Sequence, residues 1–447
     1  MNRTPRLTSF RKLPLAYLAG ATASLLIAGP AGAQLVLPEG LDSPLRPYYV
    51  QVSQTLSYDS NLFREQSDKD SDVISSTALT GGFDQQIGRQ RIFGNAGVSG
   101  NVYQDNDQLN GIGYNLLLGL AWEAGSRLNG TARVRSSQNQ ASFADYGSFS
   151  ADRTGKNREQ ANVLDLSAQY GRGVVGLEAF TNHTDISYSD GGFSNRDRKS
   201  STVGGGLRFR PGGPWSFGLT ARFTEGEYPD TVDLNTGETV SDDYDRRDVD
   251  LTAQYRATGR SVLSARISHT DEEHDLVTAR DFNGITGALS WVYAVTGKTT
   301  VRTSLSRNTG TGTGSRFLPG ELLAPSDPLA PAPTQTGTVS YLTDARRSDS
   351  LNVSADWEAT AKIAVNASVG YSRDRYDTRF VEGADDDSGS TGNTKSLSLA
   401  ASYALSRAWS LGCGLAYYSR DSEISTSTSS FGYDATTAYC SAALRLQ

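Results

Sequence analysis

The sequence predicts an all-β protein, a transmembrane antiparallel up-and-down β-barrel of about 18 strands with long external loops and short periplasmic turns. Three observations carry this. Apolar and polar residues alternate through segment after segment. The connections between segments are short and long in turn. All five tryptophans stand beside short connections, on the apolar face of their segments.

The alternation is plain from Tyr114 to Trp122. Leu116, Leu118, Leu120 and Trp122 fall on one face, Asn115 and Gly119 on the other, with Leu117 as the exception. Leu351, Val353, Ala355 and Trp357 stand against Asn352, Ser354, Asp356 and Glu358. Val249, Leu251, Ala253 and Tyr255 stand against Asp250, Thr252 and Gln254. Successive strand side chains point to opposite faces, so each segment has one apolar and one polar side. Such segments start near residues 47, 72, 90, 113, 126, 158, 173, 198, 215, 245, 260, 281, 298, 347, 362, 394, 408 and 432.

The short connections include EAGS (123–126), YGRG (170–173), PGGP (211–214), ATGR (257–260), VTGK (295–298), ATAK (359–362) and SRA (406–408). Polar loops rich in Gly, Asp and Ser lie between them, the longest over 309–346. Trp122, Trp215, Trp291, Trp357 and Trp409 then form a periplasmic aromatic girdle at headgroup depth. Tyr58, Tyr103, Tyr114, Tyr188, Tyr244 and Tyr376 lie near the long loops and are candidates for the opposite girdle. A soluble sandwich, solenoid or propeller is the rival fold. It does not separate connection lengths so regularly, and no fixed-length repeat is visible.

Residues 1–33 read as a signal peptide. Arg3, Arg6, Arg11 and Lys12 form a basic start, Leu13 to Ala28 an apolar core, and Ala31-Gly32-Ala33 a small-residue cleavage site. The alternative, an uncleaved anchor helix, has a short apolar core for that role. Residues 34–46 read as a periplasmic linker and 47–447 as the barrel, which places the chain in the outer membrane of a Gram-negative bacterium. Removing the four basic residues takes the formal charge from -7 to -11, which argues against a nucleic-acid partner. The composition, with 46 Gly, 21 Tyr and 37% hydrophobic residues, is lean in apolar side chains for a soluble protein of this length.

With the polar face inward, Arg133, Arg135, Arg208, Arg210, Arg222, Arg266, Arg302, Asp165, Asp250, Asp356 and Glu358 are expected to line the lumen. They read either as a path for acidic or hydroxyl-rich sugar or as the mixed charge of any wet barrel interior. The Pro-rich 309–346 loop is expected either to fold inward as a constriction or to stay outside. Cys413 and Cys440 lie symmetrically about the last loop on the lipid face, so their sulfurs are expected to be adjacent, as a disulfide or as two apolar thiols.

Catalysis and metal binding find little support. HTDEEH (269–274) matches neither H-E-x-x-H nor H-x-x-E-H, and on a strand His269 and His274 point apart. No cofactor is implied. The acidic runs at 67–72, 241–245 and 385–390 read either as loose calcium ligands or, as charge runs in loops usually are, as solvated loops.

The stretch PYYVQVSQTLSYDSNLFR (47–64) resembles the start of EpsL-type outer-membrane β-barrel proteins of exopolysaccharide biosynthesis operons, within the wider porin-like group. The motif covers the first strand and loop. Length and hairpin layout extend the likeness over the chain after the leader. The C-terminal LRLQ departs from the Phe or Trp ending of many such barrels. The resemblance implies export of an extracellular polysaccharide. It also implies lipopolysaccharide and outer-membrane lipid, a polysaccharide substrate and periplasmic export-machinery partners. The alternatives are a general or sugar-selective diffusion porin, and a structural or enzymatic barrel.

Overall fold

The computed structural model describes residues 48–143, 155–171, 173–232, 238–276, 280–309, 345–376, 390–423 and 432–446. The expected signal peptide (1–33) and linker (34–46), and most of the 309–346 loop, lie outside them. The strands are β1 (Tyr48–Asp59), β2 (Asp72–Ile87), β3 (Gln90–Tyr103), β4 (Gly111–Ala124), β5 (Leu128–Gln140), β6 (Arg158–Tyr170), β7 (Val175–Tyr188), β8 (Arg198–Phe209) and β9 (Trp215–Val232). They continue as β10 (Thr239–Thr258), β11 (Ser261–His274), β12 (Phe282–Ala294), β13 (Thr299–Asn308), β14 (Ala345–Trp357), β15 (Ile363–Tyr376), β16 (Ser390–Ala404), β17 (Trp409–Glu423) and β18 (Tyr433–Leu446).

Each strand pairs antiparallel with its sequence neighbours, and β1 pairs with β18 from Val50 opposite Leu446 to Asp59 opposite Thr437. The 18-stranded sheet is therefore closed and has no free edge. The strand starts fall beside those read from the sequence, except at β10 and β16, which begin earlier. SDDYD (241–245) is strand rather than loop: Asp242 and Tyr244 face inward, while Asp243 and Asp245 are exposed outside. Polar residues on both faces hid this end of the strand, which stands in water above the bilayer.

The outer face is an apolar belt. Val50, Val52, Leu118, Leu251, Ile267, Val353, Leu397 and Leu415 are all exposed on it. A closed barrel with such a belt is an outer-membrane protein of a Gram-negative bacterium, because only lipid makes that surface favourable and only closure satisfies its backbone there. Gln54, Ser75 and Thr77 interrupt the belt between Val52 and Leu56. They satisfy one another, Gln54 Nε2 donating to Ser75 Oγ at 2.9 Å and Thr77 Oγ1 donating to Gln54 Oε1 at 2.5 Å.

Trp215, Trp291, Trp357 and Trp409 are exposed on the outer face at the short-turn end, and Trp122 lies half-buried over Gly130. The expected girdle at the other end is only partly there. Tyr58 is exposed outside, but Tyr103 and Tyr244 are buried on the lumen side. Tyr188, which alternates out of phase with the exposed Val175 and Leu177, also faces inward. Nearness to a loop does not set the face of a residue; strand parity does.

Glycine content has a local cause. Inward rings stand directly opposite glycines of the next strand: Tyr49 opposite Gly82, Phe93 opposite Gly119, Phe180 opposite Gly204, Tyr244 opposite Gly226 and Tyr439 opposite Gly414. A Cβ at Gly119 would come within 2.2 Å of the Phe93 ring, and one at Gly204 within 2.4 Å of Phe180. The missing side chains let these rings lie flat on the wall instead of projecting into the lumen.

Two outcomes follow for folding titrations in lipid. Arg at Leu118, Leu251 or Val353 should cost roughly 2–4 kcal/mol, since each meets hydrocarbon, whereas Arg at the lumen neighbours Asn115, Thr252 or Ser354 should be tolerated. Equal costs on both faces would reject the parity. Gly119→Ala and Gly204→Ala should each destabilise by about 1–3 kcal/mol through overpacking. The paired change Gly119→Ala with Phe93→Leu should recover most of that loss, and failure to recover it would remove the ring contact as the cause.

Candidate functional site

The site is the inner wall and its extracellular mouth, and the wall sorts into three arcs. The first, β1 to β7, carries a cap at the mouth. Leu62 and Phe63 of the first loop, Ile74 of β2, Tyr103 of β3, Leu109, Phe143 and Phe193 form one buried apolar cluster, with Tyr188 of β7 packed against it. Phe63 meets Phe143 edge-on at 5.0 Å between ring centroids. Ile74 and Tyr103 face the lumen, and β3 to β6 separate β2 from β7 along the wall. A cluster touching both sides must therefore reach across the mouth on the inside.

The YDSNLFR string builds this cap. Asp59 ends β1 facing inward, and Arg64 Nη1 and Nη2 each donate to its carboxylate at 2.8 Å. Asp59 also accepts the Asn61 N–H at 3.0 Å. The Asn61 amide, fully buried, donates to the carbonyls of Glu65 at 2.7 Å and Asp434 at 2.9 Å, tying the loop to the start of β18. Arg64 takes a left-handed backbone (φ 57°), which turns the chain back over the lumen. Asp72 holds the second loop by accepting the backbone N–H groups of Gln104, Asp105 and Asn106 at 2.9–3.2 Å. At the fourth loop, Asp197 accepts the Tyr188 N–H at 2.8 Å, and burial pushes its carboxyl up to about 6.

The second arc, β8 to β11, is a ladder of alternating charge. From the mouth downward, Arg280 Nη1 donates to Asp242 at 2.9 Å. His274 lies between Asp242 (Nδ1, 3.0 Å) and Glu272 (Nε2, 3.3 Å). Arg246 donates to Glu272 at 3.0 Å and to Asp248 at 3.0 Å, and Arg222 and Arg266 converge on Asp250 at 3.1 and 3.4 Å. Tyr228 and Tyr244 flank the His274 ring, with centroids 6.0 and 5.1 Å away. His269 is exposed on the opposite face, so the two histidines of HTDEEH do not meet.

The expected lumen residues fall mostly in this pattern. Arg135 pairs with Asp165, Arg208 with Glu178 at 2.5 Å and Gln169 at 2.9 Å, and Arg302 with Asp356. Arg133 stands opposite Asp165 in register. Arg210 and Glu358 each lie one residue beyond their strand, where the N–H extends the ladder to Val174 or Lys298; Arg210 lines a small pocket with Arg208 and Gln169, and Glu358 is exposed at the short-turn rim. Sequence reasoning also missed Arg246, Asp248, Glu272 and Asp242, although inward parity along β10 and β11 pointed to them.

The third arc, β12 to β17, is lined by hydroxyls. Ser290, Ser304, Ser306, Ser350, Ser368 and Ser398 face inward. Ser306 and Ser350 share a hydrogen bond of 2.7 Å, as do Ser368 and Ser398. Each hydroxyl donates once and accepts up to twice, so such pairs keep lone pairs for a passing molecule. Cys413 and Cys440 sit on the outer face of this end of the barrel. They stand opposite in register, 4.1 Å apart at Cα, and are joined as a disulfide.

No family model matches the chain, and no curated protein matches it. Among solved structures it is similar to three outer-membrane proteins of Pseudomonas aeruginosa. OccK1 (OpdK) is 13% identical, with a TM-score of 0.44, over 89% of this chain and 99% of that one. OprD is 11% identical, with a TM-score of 0.44, over 89% and 95%. OccK2 (OpdF), solved with glucuronate, is 12% identical, with a TM-score of 0.45, over 90% and 96%. At this distance the likeness carries no argument about solute or activity.

Proposed function

We propose that this chain is a non-enzymatic diffusion channel of the outer membrane for small, hydroxyl-rich, water-soluble molecules. The observation that carries the reading is the division of the lumen: an apolar cap occupies the mouth over β1 to β7, and a hydroxyl arc lines the wall from β12 to β17. The cap narrows the entrance, which favours small solutes over a wide polymer path. The hydroxyls exchange hydrogen bonds with a polyhydroxylated solute, and Arg302 and Asp356 on this arc are paired with each other. Arg208, Arg222, Arg266 and Arg302 are committed to carboxylates, so they do not form the free positive track that an acidic polymer would need.

Export of an extracellular polysaccharide is the second reading, favoured by residues 47–64 and their resemblance to EpsL-type barrels. A deletion strain separates the two. Slowed uptake of small neutral sugars and polyols with normal polysaccharide secretion is the expected result. Lost secretion with unchanged uptake would reverse the assignment.

The paired charges make a second test, read as reversal potential in planar bilayers. The wild-type channel should discriminate weakly between small cations and anions, because the ladder cancels itself. Arg222→Ser, Arg266→Ser and Arg302→Ser together should turn it towards cations, by uncovering Asp250 and Asp356. Asp250→Asn with Asp356→Asn should turn it towards anions. Unmoved reversal potentials in both variants would place these residues off the conducting path.

A further inference from the structure

The outer face of the barrel carries charge as well as apolar side chains, and the charge is unevenly placed. On β13 to β16, one alternate step above the apolar Leu305, Leu351 and Tyr371, stand Arg307, Asp349 and Arg373. Arg347 and Arg375 occupy the next step and are directly opposite one another. Lys395 flanks them on β16, opposite Tyr371. All have the outward parity of the belt below them. Arg307 donates to Asp349 at 2.6 Å, and Arg347 lies 3.5 Å from the same carboxylate. Arg373 and Arg375 have no ion-pair partner among the described residues, Arg307 and Arg347 share Asp349, and Lys395 lies 3.4 Å from Asp421 of β17.

Like charges directly opposite on neighbouring strands destabilise a sheet unless something neutralises them. Here they sit on a chain of net charge -7, so general electrostatics do not explain the cluster. Its height does. An alternate step along a strand is about 7 Å, less when tilted. The polar headgroup layer adds on the order of 5–7 Å to each side of the hydrocarbon core. The arginines therefore stand level with the headgroups of the outer leaflet. One strand away, the same height on β9 to β11 carries Glu225, Glu227, Asp243, Asp245, Asp271 and Glu273 beside Arg247, so the excess of basic residues is local to β13 to β16.

We propose that Arg347, Arg373 and Arg375, supported by Arg307 and Lys395, form a binding site for the phosphate groups of an outer-leaflet glycolipid of the lipid A class. Guanidinium forks suit phosphate oxygens, and the Leu305–Leu351–Tyr371 row beneath receives the acyl chains. The site holds one anionic lipid against the β13–β16 wall and relieves the Arg347–Arg375 repulsion.

The test uses the full-length barrel, folded in detergent and checked by heat-modifiable mobility. The probe is phosphatidylcholine vesicles doped with lipid A, compared with the same vesicles carrying enzymatically dephosphorylated lipid A. Basic residues at an anionic surface contribute enough that Arg347→Gln, Arg373→Gln and Arg375→Gln together should weaken lipid A retention on the order of a hundredfold. The matched acidic-arc variant, Glu225→Gln, Asp245→Asn and Glu273→Gln, should retain lipid A fully. Retention by the wild type that ignores dephosphorylation would overturn the proposal, as would equal retention by the arginine variant. The connection after β15 carries the acidic run Asp385–Asp387. A large rise in lipid A retention on changing those three to Asn would instead assign the arginines to the chain's own loop.

Discussion

Everything in this molecule depends on the pairing of β1 with β18. In hydrocarbon no water is present to satisfy an N–H or C=O at a sheet edge, and each orphan costs several kcal/mol. Pairing the first strand with the last removes both edges at once. Closure then makes the two sheet faces unequal. One meets lipid and must be apolar, while the other encloses water and is free to carry charge. The disulfide between β17 and β18 and the Asn61 tie to Asp434 both lie beside this seam, one on the outer face and one at the mouth.

The lumen gains its character from how its charges are arranged rather than how many it has. Arginine and carboxylate alternate from Arg280 and Asp242 down to Arg266 and Asp250, each side chain bridging neighbouring strands. Such a ladder stiffens the wall while leaving little net field. Removing one member would leave its partner buried and uncompensated, which is more damaging than losing the pair. On the adjoining hydroxyl arc charge is sparser, and the Ser306–Ser350 and Ser368–Ser398 pairs remain available to solutes.

The flat seating of aromatic rings on glycines joins packing to passage. A ring lying along the wall contributes apolar contact, yet leaves the lumen wide. This accounts for glycines in strand interiors, where they would ordinarily weaken a sheet. At the mouth the same side-chain types do the opposite. Phe63, Phe143 and Phe193 come from loops, stack on Ile74 and Tyr103, and fill space across the entrance.

The strand count, the facing of Leu118, Leu251 and Val353, the Trp end of the barrel and the opposition of Cys413 to Cys440 were legible in the sequence. They rest on a period of two and on connection length, which are local properties of the chain. The ends of β10 and the lumen facing of Tyr103, Tyr188 and Tyr244 were not. Above the bilayer both faces meet water, so alternation fades and strand and loop look alike. The cap was hidden for a further reason. LSYDSNLFR announces a turn, but where its Leu62 and Phe63 go depends on Ile74, Tyr103 and Tyr188, which only the closed wall brings to one mouth. Likewise, parity put Arg222, Asp250 and Arg266 on one face, and strand register alone decided that they neutralise each other.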